Sequence, residues 1–374
     1  MAHLDALQRG CAYQVTSIAS GRCWDVYQER KEPSAFLTTY APTQPSREHQ
    51  LFQFMPLDDG CYAILAMHSG LALDVQGSSK ATNLARRVQQ PWMLLPQLWR
   101  DRLVHIVQYP YHGGDNQRFA AEDAGDGSVY FIAQHSNKVI TEFDKKGGKR
   151  VGQEEFRDGT GRQLWRLDLI SRFPVPKLPR LAQLPEPMLS KTGYAPKQYP
   201  KKAVTTAAAL IPAVCVNDRL SMRSRLKLTP YYTMTREQYW LHKSSKTLAD
   251  EQEAEVTHSW SSSQTVQITK NLNMTIGADL GFKFEGISLG IRSGVSEALG
   301  VSETSDNRSS FSETLRVKLK ARVPGATWHL YVLCNRFSVH RADGRLIAAT
   351  KPVEDWNDTR ELQHPSGAIV QVPL

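Results

Sequence analysis

Ser20-Gly21-Arg22-Cys23-Trp24-Asp25-Val26 recurs as Ser69-Gly70-Leu71-Ala72-Leu73-Asp74-Val75, and again, in degenerate form, as Ser136-Asn137-Lys138-Val139-Ile140-Thr141-Glu142. Each copy follows a strand-like run: Tyr13-Gln14-Val15, Tyr62-Ala63-Ile64 or Tyr130-Phe131-Ile132. Each is closed by Gln-x-aromatic: Gln50-Leu51-Phe52, Gln117-Arg118-Phe119 or Gln163-Leu164-Trp165. A repeat of roughly forty to fifty residues built from short strands points to an internally symmetric all-β unit. The closing aromatic reads as core, and the Gln as a tie on a backbone turn. The middle copy is long. Gln97-Leu98-Trp99 imitates a closure, but Val107-Gln108-Tyr109-Pro110-Tyr111 followed by Asp115-Asn116-Gln117 fits better, leaving about 89–106 as an insertion.

This pattern resembles the ricin-B-type β-trefoil lectins over about residues 9–170. The resemblance implies sugar sites, one per lobe, each using an Asp, an aromatic platform and an Asn. The carboxylate accepts from sugar hydroxyls while a flat ring covers the apolar sugar face. The second lobe has all three types in Asp74, Tyr111 (or Tyr109) and Asn116, with Gln117 adjacent. The first keeps Asp25 but has His49 in the Asn place; the third has Thr141 and Arg162 and is expected to be inactive. The competing reading is that such an Asp only caps local backbone N–H groups.

From Phe173 to Lys202 the chain holds Pro174, Pro176, Pro179, Pro185, Pro187, Pro196 and Pro200, a density that favours an extended spacer. The expected division is therefore a trefoil over 1–172, a linker over 173–202 and a second domain over 203–374.

The second domain is organised around an amphipathic hairpin at about 275–295, folded about Glu285-Gly286. Pairing outward from that two-residue loop sets Phe284 against Ile287, Phe282 against Leu289, Leu280 against Ile291 and Ala278 against Ser293, with Ile276 facing Val295. One face is thus Ile276, Ala278, Leu280, Phe282, Phe284, Ile287, Leu289 and Ile291; the other is Ser, Gly, Thr and a few charges. The alternation runs on from Val266 to Val301, broken at Lys270 and Glu297. Arms of about ten residues suit a membrane barrel, where lipid meets one face and water the other. A soluble sheet alternates in the same way. The polar face is mostly uncharged, which favours the membrane reading. Elsewhere, Thr314–Val323 and Trp328–Val339 read as strands, Ala342-Asp343-Gly344-Arg345 as a tight turn, and Ala203–Leu210 as a turn or two of helix.

Long Ser/Thr-rich strands flanking such a hairpin resemble an aerolysin-type β-pore-forming module, an elongated twisted antiparallel sheet. A trefoil joined to it resembles the insecticidal binary-toxin components of bacteria. The resemblance implies a pore former that docks on a cell-surface glycan or glycosylated receptor and assembles as a homo-oligomer on the target membrane, with a second toxin component as a further partner. The alternative is a lectin or adhesin with a structural C-terminal domain.

The chain has 374 residues, 41% hydrophobic and 22% charged, with a net charge of +9 spread along its length, so no nucleic-acid partner is expected. Five cysteines without metal-ligand spacing read as buried thiols, with one disulfide in the first domain left open. Neither a cofactor nor a metal is expected. His-Glu-x-x-His and Cys-x-x-Cys are absent, so an enzyme is not expected. Met1–Gln8 has neither a positive n-region nor an apolar h-region, so no Sec signal peptide is expected; the resemblance then implies synthesis in a bacterial cytoplasm, release without that signal and action at the target cell membrane.

Overall fold

A computed structural model describes residues 7–57, 60–80, 104–145, 148–157, 159–216, 218–247, 254–256, 259–261, 294–295, 297–300, 312–314, 317–319, 325–350, 352–364 and 367–370. The expected insertion face, Ile276 to Ile291, and the false closure Gln97-Leu98-Trp99 lie outside the described residues.

The first unit is a β-trefoil of twelve short strands: β1 (Cys11–Ser17), β2 (Cys23–Val26), β3 (Leu37–Tyr40), β4 (Phe52–Pro56), β5 (Cys61–Ala66), β6 (Ala72–Val75), β7 (Ile106–Tyr109), β8 (Phe119–Asp123), β9 (Ser128–Ala133), β10 (Lys138–Lys145), β11 (Gly148–Glu154) and β12 (Trp165–Arg172). β1–β12, β4–β5 and β8–β9 pair antiparallel, as do β2–β3, β6–β7 and β10–β11, giving two strand pairs per lobe. The repeat begins at a left-handed turn. Gly21 (φ 65°), Gly70 (φ 75°) and Asn137 (φ 55°) occupy equivalent positions, and only Gly or Asn adopts that backbone readily. Their N–H groups donate to Ser17, Ala66 and Ala133 carbonyls at 2.8–2.9 Å.

The closing aromatics Phe52, Phe119 and Trp165 are buried, as expected. Trp24 lies at their centre, 5.6 Å from Phe52 and 5.2 Å from both Phe131 and Trp165 by ring centroid. The three closing glutamines are fully buried and repeat one device. Gln50 donates to Ala41 O and accepts from Thr43 N. Gln117 does so with Pro110 O and His112 N, and Gln163 with Glu155 O and Arg157 N. The insertion ends earlier than the sequence suggests: Val104 and Ile106 are core residues, and β7 starts at Ile106, because its pairing to β6 needs that apolar residue inside.

Residues 212–232, which follow the first strand of the second domain in sequence, belong to the trefoil unit. They carry the short helix α1 (Met222–Leu228), capped by Ser221, whose hydroxyl accepts from Ser224 N. Gln53 Nε2 donates to Leu226 O at 2.8 Å, and Glu48 pairs with Arg223 and Lys227. All five cysteines are buried thiols and none is in a disulfide, so the disulfide left open does not form.

The second unit is a sheet of long strands: β13 (Gln198–Pro212), β14 (Tyr231–Thr247), β19 (Thr327–His340), β21 (Val353–His364) and β22 (Gly367–Val370), in that order, with β20 (Leu346–Ala349) on β19. Ala203–Leu210, expected as helix, lies inside β13. Ala207, Ala208 and Ala209 are buried there, and sheet pairing overrides the helical propensity of alanine. Residues 173–197 form no strand and turn at Ser190–Tyr194, but several bond the sheet, and β13 begins at Gln198 within the expected linker.

β14 pairs β19 from Thr233–His340 to Thr247–Thr327. Farther along, β15 (Ala254–Val256) pairs β18 (Val317–Leu319), and β16 (Ser259–Ser261) pairs β17 (Ser312–Thr314). Every one of these pairs is centred in sequence on the Gly286–Ile287 bond or on Ile287. Residues 294–295 and 297–300 depart from the expected return strand. Leu299 N donates to Val295 O at 2.9 Å in a helical turn, which lets Leu299 bury where an exposed strand would leave it in water.

Candidate carbohydrate site

The second lobe brings its named polar residues together. β6 presents Asp74, and the turn after β7 presents Asn116 and Gln117. Asn116 Nδ2 donates to Asp74 Oδ2 at 2.9 Å. His112, absent from the sequence reading, also reaches that oxygen, at 3.3 Å. Gly114 N donates to His112 Nδ1, so the hydrogen of His112 sits on Nε2 and points at the carboxylate. Burial pushes the Asp74 carboxyl above the usual carboxylate range, and the Asn116, His112 and Gln117 hydrogen bonds oppose that rise.

A cleft of about 270 Å3 opens beside Asp74, lined also by Tyr109, His112 and Asn116, with Ser34 from the first lobe. Tyr109 is 43% exposed and offers its ring; Tyr111 is not among the lining residues. Of the two candidate rings, Tyr109 is thus the one that lines the cleft, because the strand ends there and the chain turns at Pro110. The threefold comparison could have found it: Tyr109 precedes the carbonyl held by Gln117 as Tyr40 precedes the one held by Gln50.

In the first lobe, Asp25 is buried and its Oδ2 accepts from Gln50 Nε2 at 2.9 Å, with His49 Nε2 at 3.3 Å. His49 thus takes the Asn116 role, and its other nitrogen lies 3.7 Å from Glu29. Tyr40, 61% exposed, is the equivalent ring. In the third lobe Gln163 donates to Thr141 Oγ1, and no carboxylate occupies the Asp place. Glu142 instead lies buried beneath it, taking hydroxyl donors from Ser17, Ser20 and Thr39.

The sequence-family profile described as "Ricin-type beta-trefoil lectin domain-like" matches residues 4–91. The solved structure of Cry35Ab1 superposes with a TM-score of 0.71 over 96% of this chain and 91% of that one, at 15% identity, a likeness of fold. Insecticidal crystal protein Cry35Ab1 of Bacillus thuringiensis is 24% identical over 172 residues, 43% of each chain. Binary larvicide subunit BinA of Lysinibacillus sphaericus is 31% identical over 322 residues, covering 81% of this chain and 77% of BinA. Sequence identity of 31% over four-fifths of its length places this chain in the BinA family of binary larvicide subunits.

Proposed function

We propose that the chain is an insecticidal toxin component. It docks on a cell-surface glycan or glycosylated receptor through the Asp74 cleft and delivers an amphipathic hairpin at about 275–295 to the target membrane. Kinship to a binary larvicide subunit supports the toxin role and suggests a second toxin component as partner. The observation that carries the membrane step is the shared centre of the paired strands. Ladders from Thr233–His340 to Ser261–Ser312 share a centre in sequence at Gly286–Ile287, the peptide bond next to the loop read from side-chain alternation alone.

Energetics then dictates assembly. A lone hairpin would carry unpaired edge N–H and C=O groups into lipid, at several kcal/mol each. A closed ring of hairpins has no such edges, so insertion is coupled to oligomerisation. Docking through the trefoil raises local concentration and favours that ring.

Dye release from liposomes tests this reading. Phe282→Asp or Leu289→Asp should abolish release while glycan binding persists. Release unchanged by either charge would refute hairpin insertion and favour the adhesin alternative.

A further inference from the structure

The segment 184–197 lies as a strap over one face of β14, β19 and β21. Trp240 Nε1 donates to Pro185 O at 3.0 Å, Tyr331 Oη to Pro196 O at 2.9 Å, and His242 N to Lys197 O at 3.0 Å. Leu184, Leu189 and Ala195 pack on Trp240, Tyr331, Leu333 and Leu362. Glu186 pairs with Arg360, whose guanidinium stacks 4.7 Å from the Trp240 ring.

Three histidines sit on this face. His242 Nε2 and His329 Nδ1 are 3.2 Å apart, and the His242 ring lies 5.2 Å from that of Tyr331. His364 carries Gly193 of the strap so closely that a Cβ there would lie 2.4 Å from its ring. His242 is also bonded to the Ser244 backbone, and His329 Nε2 is buried without a hydrogen-bond partner. The neutral pair is satisfied when His242 gives its hydrogen to Ser244 and accepts from His329. A further proton then has two places: a buried N–H with nothing to receive it, or an N–H set against another N–H.

We propose that this histidine cluster makes the strap an acid-released latch. Among the described residues, no unpaired carboxylate of these elements faces the added charge; Glu237 of β14 pairs with Arg336. Of the carboxylates on these elements, Glu186 and Asp358 pair with Arg360, and Glu354 with Lys243. Glu361 holds Trp328 Nε1 and pairs across from Leu330, on the opposite face. Burial pushes the Tyr331 phenol up to about 12, so it brings no negative charge. Burial holds both His242 and His329 below the ordinary histidine value, and His364 pushes His329 the same way. Above about pH 6.5 both the strapped and released states are neutral at these rings, and the strap keeps its full stability. Below it, the released state takes up protons first. Each further pH unit then weakens the strapped state by up to about tenfold per histidine, or about a hundredfold for the pair. Release uncovers Trp240, Tyr331, Leu333 and Leu362, an apolar face suited to a partner surface.

Hydrogen exchange on the full chain tests this, with rates corrected for intrinsic pH dependence and peptides spanning Cys11–Ser17 as internal control. Protection of 184–199 should fall at least tenfold between pH 7.5 and 5.5 while the control holds. His242→Gln with His329→Gln, which keep polar contacts without titrating, should remove most of that fall. Strap protection that is equal at the two pH values in the unsubstituted protein overturns the latch. So does the full fall persisting in the double variant. If the double variant loses its control protection, single His242→Gln is read instead, with about half the effect expected.

Discussion

Asp74→Asn separates a binding carboxylate from a structural one. The substituted amide keeps an oxygen for Asn116 Nδ2, so the turn that holds Gln117 should persist. The fold should gain slightly, and the sign follows from burial. The Asp74 carboxyl is raised in the folded state, so its charged form is disfavoured there relative to the unfolded chain. Its contribution to stability is therefore lost as pH rises through the folded value, and a permanently neutral Asn removes that cost at neutral pH. Binding should move the other way. A hydrogen bond from a sugar hydroxyl to a carboxylate contributes about 1.5–3 kcal/mol, so its loss lowers affinity by roughly 10- to 100-fold. Calorimetric titration of a glycan selected on an array reads the affinity, and thermal unfolding at pH 7 reads the fold. Undiminished affinity in a well-folded variant would refute the assignment of this cleft. A marked drop in melting temperature would mean Asp74 serves the turn rather than a ligand. Affinity of the unsubstituted protein should also fall on acidification before an ordinary carboxylate would titrate, since binding needs the ionised form.

Three further outcomes follow from the same geometry. Tyr109→Ala should weaken glycan binding by about 1–2 kcal/mol in the same titration, whereas Tyr111→Ala should leave it within experimental error. Glu142→Ala should destabilise the trefoil by about 3–5 kcal/mol, measured by chemical denaturation, because the buried hydroxyls of Ser17 and Thr39, the half-buried one of Ser20 and Lys149 lose a common acceptor; Glu142→Gln should cost less. Gly70→Ala should also destabilise, since its φ is +75° and a Cβ would lie 2.5 Å from the Arg223 backbone nitrogen; the readout is a lower trefoil melting temperature, while Gly21→Ala, with open space, should cost less.

Local pattern alone determined the threefold architecture. Gly21, Gly70 and Asn137 mark the left-handed turns, and Gln50, Gln117 and Gln163 mark the closures, because both are short-range devices that need particular residue types at particular offsets. Asp25 with His49, and Asp74 with Asn116, were legible for the same reason. Three outcomes needed the tertiary structure. Ala203–Leu210 is strand because a neighbouring long strand supplies its hydrogen bonds, which local propensity cannot foresee. Tyr109 rather than Tyr111 lines the cleft because the direction of a ring depends on where β7 ends, not on composition. The Pro-rich segment lies strapped to the sheet through carbonyls of Pro185, Pro196 and Lys197, whose donors come from Trp240, Tyr331 and His242. Those partners are distant in sequence, and no local pattern announces which indole, phenol or amide will meet which carbonyl.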